Sequence, residues 1–222
     1  MKTAPKHLIT EPRWGFEFLL ILVVASLLVP SYMEPGPARA ATSSLLLSFT
    51  LISSLYLVVY QLRELYIGIA LMIPCLLTLW WQPPISEPWD HNIGYLLYIL
   101  FILYICLHIG RYLVETDEIN TDMVLAAICV YLLIGLMWAF IYLMIETSSP
   151  GSITFPSHNS EGATYSLFVY FSYVTLTTLG YGEITPVSEV SQSWTVLESI
   201  VGQLYLTIVI ARMIGLIISR RK

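Results

Sequence analysis

The sequence predicts an all-α membrane protein with six membrane-spanning helices and one short re-entrant helix between the fifth and the sixth. The 222 residues are 57% hydrophobic and only 11% charged, whereas a soluble domain usually carries about 25% charged residues. The apolar residues are gathered in six runs, each close to the roughly 20 residues that cross a bilayer. This composition excludes a soluble enzyme, a disordered regulator and a nucleic-acid-binding protein, which would need a basic face.

Polar or proline-containing segments separate the six predicted spans. We place the spans at 14–33, 42–60, 65–81, 93–114, 123–145 and 193–219. The polar stretch at 116–122 separates the fourth span from the fifth. Within it, Asn120, Thr121 or Asp122 is the expected N-cap of the fifth helix, because their side-chain oxygens can accept from free backbone N–H groups.

The basic residues predict the orientation. Nine of the ten Lys and Arg residues fall on one side if the N-terminus is inside, and only Arg39 falls outside. Positive charge marks the cytoplasmic side, so we expect a multi-pass protein of the cell (inner) membrane with both termini cytoplasmic. Arg212, inside the last span, is expected to extend towards the cytoplasmic headgroups. The first 40 residues also resemble a cleaved signal peptide, although Glu17 and the length favour a retained helix.

The segment between the fifth and sixth spans differs from every other loop. Residues 147–162 are polar and predict an exposed loop, and residues 163–175 are apolar but too short to span, which favours a re-entrant helix. A Gly-Tyr-Gly sequence follows at 180–182. Non-helical backbone at membrane depth must be buried in protein or line a water-filled path. The two glycines allow successive carbonyls to point one way, and four copies would then form rings of oxygens around a cation.

The run TLTTLGYG at 175–182 resembles the signature of potassium-channel pore domains, and the resemblance extends from about residue 121 to the end. It implies a pore domain at 119–222, with outer helix, turret, pore helix, selectivity filter and inner helix, and a four-helix region of unknown role at 1–118. It also implies which residues form the filter and coordinate K⁺. These are Thr178, whose hydroxyl forms the lowest site, and Leu179, Gly180, Tyr181 and Gly182.

The same resemblance implies a set of residues that support the filter. They are Thr175, Thr177, Tyr170, Phe171 and Glu183. Several depart from the common pattern: a Trp pair is often found at Tyr170 and Phe171, aspartate at Glu183 and valine at Leu179. The Leu179 side chain is expected to pack behind the filter. Phe171 cannot donate a hydrogen bond, so the contacts that support the filter are expected to differ from the common pattern. We expect this difference to affect inactivation more than the choice of ion.

The last span contains the candidate gating residues, which are Gly202, Glu198, Leu206, Ile210 and Ile214. Gly202 stands where the resemblance implies a gating hinge, or it permits close helix contact. Glu198, the only acid within this predicted span, is either a structural hydrogen-bonding group or a proton-sensitive gate. Leu206, Ile210 and Ile214 share one helix face, which forms a cytoplasmic constriction or faces lipid or the outer helix.

The sequence of the first four spans shows no pattern that is typical of a sensor for a gating stimulus. The fourth has Arg111 as its single arginine, whereas a voltage sensor needs several charges that move through the field. The chain therefore resembles a six-span bacterial-type channel without a voltage sensor. Leak-like conduction and responses to lipid, tension or pH all stay open.

The predicted function is passive, potassium-selective conduction by a homotetramer, since one chain supplies one pore loop. The expected partners are other copies of the chain, the bilayer and K⁺ as the permeant ion, with no cofactor, nucleic acid or catalytic activity. Three alternatives stay open. They are a weakly selective cation channel, a subunit of a potassium-uptake system and a non-conducting membrane sensor.

Overall fold

The structure, a computed structural model, describes residues 15–58, 62–80, 88–117, 119–156 and 165–219. Seven α-helices lie in these ranges: α1 Gly15–Leu28, α2 Pro37–Val58, α3 Leu62–Trp80, α4 Pro88–Glu115, α5 Thr121–Ser148, α6 Tyr165–Leu176 and α7 Glu189–Ser219. A 3₁₀ helix at Val29–Tyr32 prolongs α1. Two short strands, β1 Ile153–Thr154 and β2 Thr185–Pro186, pair antiparallel.

The helices confirm the predicted all-α membrane class. Six of them are long and apolar enough to cross a membrane. The remaining one, α6, has 12 residues, which is too short to span and agrees with the predicted re-entrant helix. Two helices begin five residues earlier than the expected spans, at Pro37 and Pro88. Proline suits the first position of a helix, because an N–H group there would have no partner within the helix and proline has none.

Helix α5 forms the centre of the subunit. It packs against α1, α4, α6 and α7, and it is the most buried of the six candidate spans. A helix that is apolar on all sides is suited to this position. The N-terminal helices contact one another in chain order, so α1 and α4 connect the four-helix region to α5.

Asn120 caps the start of α5. Its extended backbone places the side-chain Oδ1 2.7 Å from the backbone N of Met123, from which it accepts a hydrogen bond. This confirms one of the three expected caps. A cap of this kind contributes about 1 kcal/mol.

The segment after α5 is more buried than the expected exposed loop. Ser152 and Ile153 are buried, and the Glu146 carboxylate accepts from the backbone N of Gly151 at 2.7 Å and of Ile153 at 3.0 Å. The Ser191 hydroxyl, in the first turn of α7, donates to the Ser152 carbonyl at 2.7 Å. These bonds and the β1–β2 pair fasten the segment to α7. The rest of the predicted loop, 157–162, and the first two residues of the predicted re-entrant segment, 163–164, lie outside the described residues.

Arg212 bonds the end of α4, and its expected extension towards the headgroups stays a prediction. Its Nε donates to the Leu113 carbonyl at 2.8 Å, and its Nη2 donates to the carbonyls of Val114 and, at 3.1 Å, Thr116. These acceptors lie at the C-terminal end of α4, where carbonyls lack intrahelical partners and carry the negative end of the helix dipole. Arg212 therefore bonds the lower part of α7 to the four-helix region.

We expect Arg212→Lys to lower the free energy of unfolding by about 1 kcal/mol. Lysine keeps the charge but loses the planar fork that reaches several carbonyls at once. Thermal unfolding of the purified protein in detergent measures the effect. Arg111→Lys, on α4, is the matched control and should unfold with the parent. Equal midpoints for the Arg212→Lys variant and the parent would contradict the prediction.

Candidate functional site

The strand after α6, residues 177–182 and here called the filter strand, has an unusual backbone. Thr178, Gly180 and Gly182 have φ of 59°, 59° and 86°, so every second residue has a positive φ. Thr178 is the only non-glycine residue with a positive φ in the described chain. For a β-branched residue this conformation is an outlier. Such strain costs about 1–3 kcal/mol and concentrates at functional sites.

The alternation of φ changes where the carbonyls of the filter strand can point. In an ordinary strand, successive carbonyls point to opposite sides. A positive φ at every second residue rotates alternate peptide planes, so that consecutive carbonyls can face one side. Gly180 and Gly182 adopt this backbone without the steric penalty of a side chain.

The filter strand bonds to α6 through its N–H groups. The N–H of Leu179 donates to the Val174 carbonyl at 2.9 Å, that of Gly180 to the same carbonyl at 3.3 Å, and that of Thr178 to the Thr175 carbonyl at 2.9 Å. Within the described residues, the carbonyls of 178–181 accept no hydrogen bond. The strand thus has oxygen acceptors free for a ligand.

Backbone carbonyls are the ion ligands that this site offers. No group of three or more His, Cys, Asp or Glu side chains in the described ranges could hold a metal ion. The C-terminal end of α6, the negative end of its dipole, leads directly into the filter strand. A site of this kind favours a cation.

The filter strand lies on an uncovered side of the subunit. Tyr181 is 68% exposed and Leu179 is 54% exposed. No described part of this one subunit covers the Leu179 side chain, and its expected packing behind the filter stays a prediction. Thr177 is also exposed, and its hydroxyl donates to the Tyr173 carbonyl at 2.6 Å, whereas Thr175, in the last turn of α6, is buried.

The two aromatic residues of α6 that were expected to support the filter have different contacts. The Tyr170 hydroxyl donates to Oε1 of Glu183. This hydrogen bond raises the pKa of Tyr170 to about 12. Phe171 is buried and packs on Tyr142 of α5, with ring centroids 4.8 Å apart. Tyr170 links α6 to the residue that follows the filter strand.

We expect Tyr170→Phe to make the current decline about two- to tenfold faster during sustained conduction. The variant loses one hydrogen bond to a charged acceptor, whose contribution is reduced by exposure. Current recordings over time from reconstituted protein measure the decline. Tyr66→Phe, an exposed tyrosine on α3, should behave as the parent. An unchanged time course in Tyr170→Phe would show that the bond does not support the filter.

Glu198 lies directly behind α6 and is fully buried. Its Oε2 is 2.5 Å from the Tyr142 hydroxyl of α5, and its Oε1 is 2.6 Å from the Ser172 hydroxyl of α6. The Ser172 hydroxyl is also 2.7 Å from the Gly135 carbonyl of α5. One carboxyl thus connects α5, α6 and α7. The sequence did not indicate Tyr142 or Ser172, since nothing local marks which faces meet.

Gly202 lies where α7 crosses the end of α6. A Cβ on Gly202 would be 2.5 Å from the Leu176 carbonyl oxygen and 2.9 Å from its Cδ1. The Tyr131 hydroxyl donates to the same carbonyl at 3.2 Å. This geometry favours the close-contact interpretation of Gly202, because a side chain would displace α6.

Gln203 is a neighbour of the filter strand that the sequence did not indicate. Its Nε2 donates to the Thr178 hydroxyl at 3.4 Å, and its side chain is exposed. In the sequence, the one indication of a role for Gln203 is its position next to Gly202. A single glutamine in an apolar helix belongs to no motif that would mark it as a site residue. It places an amide beside the hydroxyl that is expected to form the lowest site.

The lower half of α7 has two distinct faces. Leu206, Ile210 and Ile214 are exposed, whereas Tyr205, Val209, Met213 and Leu216 pack against the core. The Tyr205 hydroxyl donates to the Ala127 carbonyl of α5 at 2.7 Å. The face of α7 that meets the outer helix, α5, is therefore not the face that Leu206, Ile210 and Ile214 share.

The comparison with protein families agrees with this arrangement. Residues 128–219 match a family model described as an ion channel. The match begins within α5 and ends at the last residue of α7, so it includes α6, the filter strand and Glu198. None of the curated proteins matches the chain at a significant level. Residues 128–219 are therefore similar to an ion-channel domain, and further membrane-capable helices precede them in the chain.

Proposed function

We propose that this chain is the subunit of a potassium-selective channel, which conducts K⁺ passively through a filter formed by four copies of residues 178–182. The observation that carries the proposal is the positive φ at every second residue of the filter strand. Its N–H groups bond to α6, which leaves the carbonyls as ligands. Rings of such oxygens can replace the hydration shell of K⁺.

The exposure of the filter strand supports assembly of several copies. Lipid cannot satisfy backbone polar groups, so a strand at membrane depth must be covered by protein or line a water-filled path. In α7, 31 residues long, the buried residues are Ser191, Glu198 and Gly202. The polar side chains of Gln203 and Thr207 are among its exposed residues. Four copies around an axis would place these groups on a shared aqueous path.

The positions of the arginines support cytoplasmic termini. Arg111 and Arg212 lie at the same end of the subunit, where Arg212 bonds the end of α4. Arg39 lies at the opposite end, and its Nη2 donates to the Ser166 hydroxyl at the start of α6 at 2.9 Å. The basic end is the cytoplasmic end by the positive-inside rule.

The experiment is a measurement of current from the purified full chain in proteoliposomes, under opposed K⁺ and Na⁺ gradients. We expect the current to reverse near the K⁺ equilibrium potential. A current that does not distinguish the two ions would favour the weakly selective cation channel. Absence of current from assembled protein would favour the membrane sensor or the uptake subunit, which needs a partner. Protein-free liposomes provide the baseline.

A further inference from the structure

The network around Glu198 contains more short contacts than its hydroxyl groups have protons. Three oxygen–oxygen contacts are 2.5, 2.6 and 2.7 Å long: Tyr142 to Glu198, Ser172 to Glu198, and Ser172 to the Gly135 carbonyl. Two oxygens at such distances need a proton between them, because lone pairs repel. Tyr142 and Ser172 each supply one proton, and a carbonyl supplies none.

The third proton must be on Glu198. With a neutral carboxylic acid, Glu198 Oε1 donates to the Ser172 hydroxyl, which donates in turn to the Gly135 carbonyl. The Tyr142 hydroxyl donates to Oε2. Every contact then has one proton, and every oxygen has a suitable partner.

The surroundings of Glu198 agree with a neutral acid. The titratable groups that face it are Tyr142 and Tyr131 from α5 and Tyr173 from α6. The Tyr131 and Tyr173 hydroxyls donate to the carbonyls of Leu176 and Leu132, so their protons are not available. Within the described residues, the one ion pair between side chains is remote, on α3 and α4. A buried carboxylate without a cation is costly.

We propose that Glu198 is a positioning residue, whose neutral form holds α6 in the place that the filter strand requires. This inference rests on the proposed function. Few residues separate Glu198 from the filter strand. Its partner Ser172 lies on α6 two residues before Val174, whose carbonyl accepts from the N–H groups of Leu179 and Gly180.

Loss of the Glu198 proton leaves two protons for three contacts. Either the Ser172–Gly135 contact or the Ser172–Glu198 contact then becomes repulsive, and α6 separates from α5 or α7. The support is therefore present at low and neutral pH and is lost as the pH rises. Conduction should decrease on the alkaline side.

The test compares the parent with Glu198→Gln in proteoliposomes, over a pH series from neutral to strongly alkaline. The glutamine amide donates to Ser172 and accepts from Tyr142 as the neutral acid does, but it cannot release a proton. We expect the parent current to fall by roughly tenfold, which corresponds to about 1.4 kcal/mol, and the Glu198→Gln current to persist at alkaline pH. Glu189→Gln, at the exposed start of α7, should follow the parent.

A parent current that does not change with pH, or an equal fall in Glu198→Gln, would overturn the inference. Infrared difference spectroscopy of the parent between neutral and alkaline pH provides a measurement that needs no variant. It should show the loss of a buried protonated carboxyl band, and absence of that band at neutral pH would also overturn the inference. This spectrum does not depend on current. A parent without K⁺-selective current at neutral pH would overturn the proposed function instead.

Discussion

Gly180→Ala is expected to abolish potassium-selective current while the subunit stays folded. A Cβ at Gly180 would have no other atom within 4 Å in the subunit, but φ at this position is +59°. The cost is therefore in the backbone, about 1–2 kcal/mol for an L-residue in the left-handed region. In the proposed tetramer each of four subunits would bear this cost, and the filter strand would relax towards negative φ. Consecutive carbonyls would then no longer face one side.

The reversal potential under opposed K⁺ and Na⁺ gradients measures this effect, and we expect at least about a tenfold loss of selectivity or conductance, since each 1.4 kcal/mol corresponds to a factor of ten. Gly110→Ala is the matched control. It lies in α4, also has no atom within 4 Å of its added Cβ, and has no positive φ. A Gly180→Ala variant that kept the parental reversal potential would refute the filter assignment.

Gly202→Ala is expected to destabilise the contact between α7 and α6. The added Cβ would meet the Leu176 carbonyl oxygen at 2.5 Å. A backbone atom cannot move aside as a flexible side chain can, so one helix must shift. Overpacking of this kind costs about 1–3 kcal/mol, and the shift would reach the filter strand through the end of α6. We expect a lower unfolding midpoint together with reduced current.

The control for this variant is Gly215→Ala in the same helix. Gly215 has open space around its Cβ position, and alanine favours a helix by up to about 1 kcal/mol over glycine. Its unfolding midpoint should equal or exceed that of the parent. If Gly202→Ala kept the parental midpoint and changed only the open probability, the hinge interpretation would be preferred over close contact.

The elements that depend on local composition could be predicted from the sequence. Each span is a long apolar run, and the short helix before the filter strand is apolar but has only 12 residues. Asn120 was a predictable cap, because its side chain acts on the next turn of its own helix. The bounds of the helices were less predictable, since Pro37 and Pro88 lie in segments that were expected to separate spans and instead begin helices.

The contacts around the site could not be predicted, because they join residues that are distant along the chain. Glu198 is 56 residues from Tyr142 and 26 from Ser172. In helices that are apolar on all sides, periodicity marks no face as the buried one. The sequence therefore indicated Glu198 as unusual but gave no partner for it.

The backbone of Thr178 illustrates a second limit. A glycine at 180 or 182 indicates a positive φ, because glycine adopts it readily. Threonine is β-branched and prefers extended or helical angles, so its residue type indicates a negative φ. The observed 59° is imposed by the surrounding contacts, among them the bond from its own N–H to the Thr175 carbonyl.

Two arginines restrict how the four-helix region can move relative to α5, α6 and α7. Arg39 of α2 bonds Ser166 at one membrane face, and Arg212 of α7 bonds the end of α4 at the other. Between these two bonds, α1 and α4 also pack against α5. A tilt of the four-helix region would therefore break at least one of the two arginine bonds or separate these packed helices.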